Sequence, residues 1–336
     1  MSSVNGLLIE YALLAALVIF VTSRASFYVD QLDKKTTLSG AIIGGVLLAV
    51  VTSLPELITT LTSTLSLNNP GLAFGNVFGS NLFNLLILAV VDIVFIKHRF
   101  YSVTEADTKP VSLSVLMYMV FIVPVMLHRF TGFDINSLGI SVGLSFNMIS
   151  LVIIVIYIMS IRIMGTRLTP KKVTRSPYPL KTIVVRFSFY ALGVIVLSYF
   201  ITHTASDLSA HYNLSDSFGG ALFLGAATSL PELTAVVTLF KLRNYAVALG
   251  NIIGSNIFNM LILSIVDFVY IRENIYRVFN GASSSENIAL LLILGALNSI
   301  MVLVALKRKS PTHAVLYSVP SAIIIIVYVI YIVNSV

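Results

Sequence analysis

The sequence predicts an all-α polytopic membrane protein with ten transmembrane helices arranged as two inverted repeats of five. Three observations predict this fold. Of the 336 residues, 57% are hydrophobic and only 10% are charged, whereas soluble domains have a charged share of about 25%. The apolar residues fall into ten runs of membrane-spanning length. A motif rich in polar residues also occurs once in each half of the chain.

The ten spans follow from length, because about 20 apolar residues in a helix cross a bilayer core. We expect them at residues 5–27, 38–66, 70–96, 111–128, 138–161, 182–202, 216–241, 245–271, 286–306 and 312–333. The longest connection, 163–181, contains several basic residues and three prolines. It is too short to fold as a domain. We interpret it as a cytoplasmic linker between a first half, 1–162, and a second half, 182–336.

The distribution of basic residues predicts the orientation. If the amino terminus is outside, 18 of the 21 Lys and Arg residues lie on the inner side, and only Arg129, Arg272 and Arg277 lie outside. This asymmetry is the one that the positive-inside rule describes. Both termini are then expected outside the cell membrane. Topology and anionic lipid account for the net charge of +7, so no nucleic acid partner is implied.

The two halves are related by sequence. Residues 72–96 align without gaps on residues 247–271 with 15 identities in 25 positions. Because each half contains five spans, an odd number, the second copy enters the membrane from the opposite side. Inverted repeats of this kind are typical of secondary transporters, in which alternate rocking exposes a central site to either side.

The first motif, Thr-Ser-Leu-Pro-Glu-Leu, occurs at residues 52–57 and again at 228–233. It places Glu56 and Glu232 at membrane depth, where a charged side chain costs about 2.5 to 3.5 kcal/mol even on lenient scales. A proline kink with a salt-bridged Glu is the alternative, but neither span offers a neighbouring Lys or Arg. We therefore expect both acids to be functional.

The prolines of this motif are helix breakers. Pro55 lacks an N–H and should interrupt its helix near Val51 and Thr52, and Pro231 should do the same near Thr228. Carbonyl oxygens freed beside a Glu suit a hard cation, and irregular backbone is tolerated at this depth only inside protein or around a cavity. The hydroxyl residues that share this region are Thr52, Ser53, Thr228 and Ser229.

The second motif adds neutral oxygen ligands. Asn76, Ser80 and Asn84 are spaced by four residues and form a polar stripe along the third span. The eighth span repeats this stripe with Asn251, Ser255 and Asn259. The alternative role for these small and polar residues is helix packing.

A second symmetric pair of acids, Asp92 and Asp267, lies near the ends of spans. We expect interfacial anchoring, or an ion pair of Asp92 with Lys97 or Arg99, and a transport role is the weaker alternative.

These motifs resemble the two alpha repeats of the cation/calcium exchanger superfamily, and most closely its prokaryotic sodium/calcium exchangers. The resemblance lies in Thr52-Ser-Leu-Pro-Glu56 with Gly75-Asn-Val-Phe-Gly-Ser80-Asn-Leu-Phe-Asn84, and in Thr228-Ser-Leu-Pro-Glu232 with Gly250-Asn-Ile-Ile-Gly-Ser255-Asn-Ile-Phe-Asn259. On this chain the repeats would occupy residues 40–96 and 216–271. The ten-span layout extends the resemblance over the whole sequence.

The resemblance implies roles for individual residues. Glu56 and Glu232, with the carbonyls of Thr52 and Thr228, would bind Ca²⁺. The sodium sites would be completed by Ser53, Ser229, Ser80, Ser255, Asn84 and Asn259. Spans two, three, seven and eight would form the ion-binding core, and spans one and six would slide against it.

One position departs from the family pattern. Many sodium/calcium exchangers have Asp where this chain has Asn259, and the site therefore contains two carboxylates instead of three. Two negative charges match one Ca²⁺, two Na⁺ or two H⁺, so both stoichiometry and coupling ion stay open. Proton exchangers of the superfamily usually have a Glu in the Gly-Asn motif, which this chain lacks, and sodium is therefore favoured.

The sequence thus predicts a transporter and not an enzyme: a secondary antiporter that exchanges Ca²⁺ for Na⁺ and needs no cofactor. Proton-coupled antiport is the first alternative. A cation channel is more distant, because channels usually build a continuous pore from symmetric subunits. An intramembrane hydrolase is more distant still, since the sequence lacks a suitable His motif. The oligomeric state is not indicated.

Overall fold

The computed structural model describes residues 4–66, 68–103, 108–141, 145–165, 176–211, 228–270, 274–280, 282–308 and 314–335. Within these ranges the chain is almost entirely helical, and its strands form one short antiparallel hairpin. Eight of the described helices are long and apolar enough to cross a membrane, and a ninth candidate span in the same residues consists of two helices that meet at a bend. The prediction of a polytopic, helical membrane protein is confirmed for the described residues.

The described part of the first half contains six long helices. They are α1, Val4–Lys35; α2, Gly40–Thr52; α3, Leu54–Ser66; α4, Pro70–Val94; α5, Lys109–Thr131; and α6, Met148–Gly165. α2 and α3 meet at an angle of 42° and form the broken span. Between α5 and α6, strand β1, Gly139–Ser141, pairs with strand β2, Ser145–Asn147.

The second half contains five described helices. They are α7, Leu180–His211; α8, Leu230–Lys241; α9, Tyr245–Val269; α10, Ala282–Lys307; and α11, Ala314–Ser335. Of the predicted span 216–241, residues 216–227 lie outside the described residues. The tenth span therefore remains a prediction.

One predicted boundary was wrong. The span expected at 138–161 begins as a helix only at Met148, because Gly139–Ser141 and Ser145–Asn147 pair as strands and the Asn147 side chain accepts a hydrogen bond from the Ile149 backbone amide at 3.0 Å. An Asn oxygen in this position starts a helix. α1 and α7 continue as helices beyond the predicted spans 5–27 and 182–202, since polar residues that leave the hydrocarbon can stay helical. The apolar part of α7, Leu180–Ile201, agrees with the predicted span.

α4 and α9 occupy the centre of the molecule. Other parts of the protein bury 67% of the apolar window of α4 and 78% of that of α9, against 11% for α1. Both central helices carry polar motifs that would be costly in contact with lipid. The polar stripes thus lie inside the helix bundle.

α1 packs along its length against α7 at the edge of the molecule. Near the linker the contact is aromatic: Tyr28 stacks on Tyr190 with ring centroids 5.9 Å apart, and Arg186 Nη1 donates to Tyr28 Oη at 2.8 Å. The end of α1 also contacts the start of α9, where Asn244 Nδ2 donates to Asp30 Oδ1 at 2.9 Å and to Asp33 Oδ2 at 3.2 Å. α1 and α7 form a peripheral pair, and α1 also packs against α8.

Glycines bring α2 against α9. A Cβ on Gly254 would lie 2.2 Å from the carbonyl oxygen of Gly45, and one on Gly44 would lie 2.1 Å from that of Val247. Only glycine permits backbones to approach so closely. The same part of α2, Ile43–Leu48, is a π-helix, a conformation that is frequent at functional sites. This packing places the break after α2 beside the polar stripe of α9.

Candidate functional site

The broken span is interrupted at Ser53. This residue has φ −95° and ψ 9°, outside the helical range, and α3 starts directly after it with Pro55 in its first turn. Because Pro55 has no N–H, the carbonyl four residues earlier cannot receive its usual hydrogen bond. The break thus lies one residue beyond the predicted position at Val51 and Thr52.

The second copy of the motif has the same local conformation. Ser229 has φ −87° and ψ 5°, and α8 begins at Leu230 with Pro231 in its first turn. The Ser229 carbonyl accepts from Leu233 N at 3.1 Å, as the Ser53 carbonyl accepts from Leu57 N at 3.2 Å. The repeated sequence therefore folds alike in both halves over these residues.

Both carboxylates lie in the first turn of the helix that follows the break. Glu56 and Glu232 are fully buried, and Ser53, three residues before Glu56, donates to Glu232 Oε1 at 3.0 Å. The amino-terminal end of a helix favours a negative charge. Neither Glu forms an ion pair with a Lys or Arg among the described residues. Two buried acids thus share one region without a basic side chain to neutralise them.

Contacts between the halves hold Glu232. Its Oε1 accepts from Ser53 Oγ at 3.0 Å and from Ser255 Oγ at 3.4 Å. Thr52 Oγ1 lies 3.4 Å from Ser255 Oγ and 3.4 Å from Asn251 Oδ1. The break of the first half therefore contacts the acid of the second half and the polar stripe of α9.

Glu56 is bound less tightly. The hydroxyls of Thr228 and Ser80 face its carboxylate, but neither carboxylate oxygen accepts a hydrogen bond of normal geometry from the described residues. Among the described residues the two acids thus differ: hydroxyls donate to Glu232, and both carboxylate oxygens of Glu56 are without a hydrogen-bond partner.

Several further oxygen atoms in the site are buried without a hydrogen-bond partner in the described part of the chain. They are both carboxylate oxygens of Glu56, Oε2 of Glu232, Oγ of Ser80 and Ser229, and Oδ1 of Asn84 and Asn259. A buried polar atom without a partner costs about 1 to 3 kcal/mol, and more if it is charged. Clustered oxygen atoms of this kind suit a hard cation such as Na⁺ or Ca²⁺. The donor set consists of two carboxylates with neutral hydroxyl and amide oxygens.

The structure buries the residues predicted from sequence and joins Thr52, Ser53, Glu232 and Ser255 by direct contacts. Every side chain of the predicted set is buried, with exposures of 0 or 1%; the set is Thr52, Ser53, Glu56, Ser80, Asn84, Thr228, Ser229, Glu232, Ser255 and Asn259. Sequence reasoning did not assign a role to Asn81 and Asn256, which contact Asn259 and Asn84. Their repeated position in Gly-Ser-Asn was the available signal.

The second pair of acids is buried, and the expectation of interfacial anchoring was wrong. Asp92 accepts from Tyr317 Oη at 2.5 Å and from Ser321 Oγ at 2.7 Å, both on α11. Asp267 accepts from the Asn147 amide and from Ser150 Oγ, each at 2.7 Å. Asp92 thus joins α4 to α11, and Asp267 joins α9 to strand β2 and to α6.

Comparison with known proteins decides the family. The sequence profile described as sodium/calcium exchanger protein matches residues 7–164 and 182–336. The chain belongs to the sodium/calcium exchanger family. This is a family of membrane transporters, and the prediction of a transporter of the exchanger type is confirmed at that level.

Relatives of this exchanger family member are known from bacteria and archaea. It is 26% identical over 255 residues to the inner membrane protein YrbG of Escherichia coli, covering 74% of each chain. It is 24% identical over 230 residues to the uncharacterised membrane protein MJ0091 of Methanocaldococcus jannaschii, covering 68% of this chain and 70% of the other. A solved structure of the sodium-calcium exchanger NCX_Mj, soaked with Na⁺ and Sr²⁺, matches 99% of both chains with a TM-score of 0.68 and 20% identity. The last comparison shows a shared fold.

Proposed function

We propose that this family member is a secondary antiporter that exchanges Ca²⁺ for Na⁺ at the site around Glu56 and Glu232. One observation carries the proposal: two buried acids from opposite halves share a region in which seven oxygen atoms have no partner among the described residues. Buried acids without a basic partner need a cation or a proton. Membership of the exchanger family favours metal cations.

Charge supports an exchange of matched ions. With Asn84 and Asn259 neutral, the site contributes two negative charges, which one Ca²⁺ or two Na⁺ neutralise equally. A neutral loaded site crosses a low-dielectric barrier more readily than a charged one. We assign Ca²⁺ to Glu56 and Glu232 with the carbonyls of Thr52 and Thr228. The Na⁺ ligands are then Ser53, Ser229, Ser80, Ser255, Asn84 and Asn259.

The architecture supports alternating access. We infer ten spans in two inverted repeats, with residues 216–241 as the span equivalent to the broken α2 and α3. The peripheral pair of α1 and α7 would slide along the central helices and expose the site to either side in turn. From the positive-inside rule we propose that the linker lies inside and both termini lie outside the cell membrane.

Flux in proteoliposomes tests the proposal. Vesicles loaded with Na⁺ and diluted into Na⁺-free medium should take up ⁴⁵Ca²⁺, and dissipating the Na⁺ gradient should stop the uptake. Equal uptake driven by a pH gradient alone would contradict Na⁺ coupling and favour the proton-coupled alternative. Calcium entry that needs no ion on the opposite side would indicate a channel.

A further inference from the structure

Asn81 and Asn256 occupy the same position in the two Gly-Ser-Asn motifs and meet where α4 crosses α9. Both side chains are fully buried. Asn81 Nδ2 donates to the backbone carbonyl of Asn256 at 3.1 Å, and Asn256 Nδ2 donates to the backbone carbonyl of Asn81 at 3.1 Å. The two asparagines thus form a reciprocal pair between the halves of the chain.

This reciprocal pair determines which way each amide faces. A backbone carbonyl only accepts hydrogen bonds, so the atom facing it must be the amide nitrogen. The amide oxygens of Asn81 and Asn256 then point away from these carbonyls. Asn81 Oδ1 accepts from Asn259 Nδ2 at 3.0 Å, and Asn256 Oδ1 accepts from Asn84 Nδ2 at 3.0 Å.

The orientation passes to the proposed ligands. Since the nitrogens of Asn84 and Asn259 are engaged in these contacts, their Oδ1 atoms remain, buried and without a partner among the described residues. We propose that Asn81 and Asn256 are positioning residues that hold Oδ1 of Asn259 and Asn84 toward the bound cation. Each acts on the ligand of the opposite half. This inference rests on the proposed function, which makes Asn84 and Asn259 sodium ligands.

The network also accounts for a neutral residue at position 259. Asn81 Oδ1 needs a donor opposite it, and an ionised Asp has only acceptor oxygens. Asp in place of Asn259 would bring two acceptors together in a buried place, which is strongly unfavourable. The reciprocal pair therefore selects amides at positions 84 and 259 and keeps the charge of the site at the two glutamates.

Double-mutant cycles on cation affinity test the crossed arrangement. The readout is the Na⁺ concentration that gives half-maximal protection of purified protein against thermal unfolding, which does not require transport. Asn81→Ala and Asn259→Ala should each raise this concentration about fivefold to tenfold, as expected for a lost hydrogen bond or ligand. The double variant should need no higher Na⁺ concentration for half-maximal protection than the more affected single variant, because Asn81 acts through Asn259.

The matched control is a pair of residues on one helix. Asn81 and Asn84 are three residues apart on α4, but the Asn84 nitrogen is held by Asn256. The fold-increases in half-maximal Na⁺ concentration of Asn81→Ala and Asn84→Ala should therefore multiply in the double variant. If Asn81→Ala does not fold, Asn256→Ala with Asn84→Ala tests the equivalent pair.

Two results separate the inference from the function on which it rests. In a protein that binds Na⁺, the fold-increases in half-maximal Na⁺ concentration of Asn81→Ala and Asn259→Ala could multiply in the double variant. That result would overturn the positioning role and leave the antiporter proposal intact. A wild-type protein that Na⁺ does not protect at any concentration would remove the sodium sites themselves. We expect the fold-increases in half-maximal Na⁺ concentration not to multiply for Asn81 with Asn259. For the control pair, Asn81 with Asn84, we expect them to multiply.

Discussion

Ser53 Oγ donates a hydrogen bond to Glu232 Oε1 over 3.0 Å, although the two residues are 179 positions apart in the chain. Ser53 lies at the break between α2 and α3, and Glu232 lies in the first turn of α8. A helix break in one half therefore orients the acid of the other half. Its sequence equivalent, Ser229, has a buried Oγ without a partner among the described residues.

This inequality predicts different effects for two equivalent serines. Ser53→Ala should lower stability without ions by about 1 to 3 kcal/mol, because it leaves a buried oxygen of Glu232 without this donor. Ser229→Ala should change that stability by much less and weaken Na⁺ binding instead. Thermal unfolding with and without Na⁺ measures both quantities. Equal losses of stability in ion-free buffer would show that the two serines are equivalent.

The contact of α2 with α9 predicts that Gly254→Ala is disruptive. The new Cβ would lie 2.2 Å from the Gly45 carbonyl oxygen, so the helices must separate. Overpacking of this kind costs about 1 to 3 kcal/mol or more. Gly193→Ala is the control, because its Cβ would make an ordinary 3.4 Å contact with Val21 Cγ1. Unfolding temperatures in detergent compare the two, and a Gly254 variant as stable as the Gly193 variant would argue against the close approach.

The buried Asp92 predicts a structural role for Tyr317. Tyr317→Phe removes a 2.5 Å hydrogen bond to the carboxylate and should destabilise the protein by about 1.5 to 3 kcal/mol. Na⁺ affinity of the folded protein should stay within about twofold, since Asp92 is outside the proposed site. Tyr199→Phe, at a side chain that is 42% exposed, is the control. A large loss of Na⁺ affinity in Tyr317→Phe would assign Asp92 to transport after all.

Two carboxylates predict electrically neutral exchange. If one Ca²⁺ and two Na⁺ alternate at a site with two negative charges, no net charge crosses the membrane in a cycle. ⁴⁵Ca²⁺ uptake should then be unchanged when a K⁺ gradient and valinomycin set the vesicle potential to either sign. Uptake that rises at one sign and falls at the other would require an additional ion in the cycle.

Local features of the site could be predicted from the sequence, and long-range ones could not. The prolines located the helix breaks to within one residue, and the repeated spacing selected Glu56, Ser80 and Asn84, because these signals act over one or two helical turns. The reciprocal pair of Asn81 and Asn256 depends on how two distant helices cross, which helical periodicity does not encode. The paired strands at 139–141 and 145–147 were missed because average hydropathy over a span does not separate a short apolar strand from a helix.

The claim that Glu56 and Glu232 hold the transported cation is tested most directly by neutralising them one at a time. Glu56→Gln and Glu232→Gln should each abolish Na⁺-driven ⁴⁵Ca²⁺ uptake, while Glu286→Gln, at an exposed side chain paired with Arg129 at 3.6 Å, should leave it unchanged. Size-exclusion profiles verify that all three variants fold. Uptake at the wild-type rate in folded Glu56→Gln or Glu232→Gln would contradict the site.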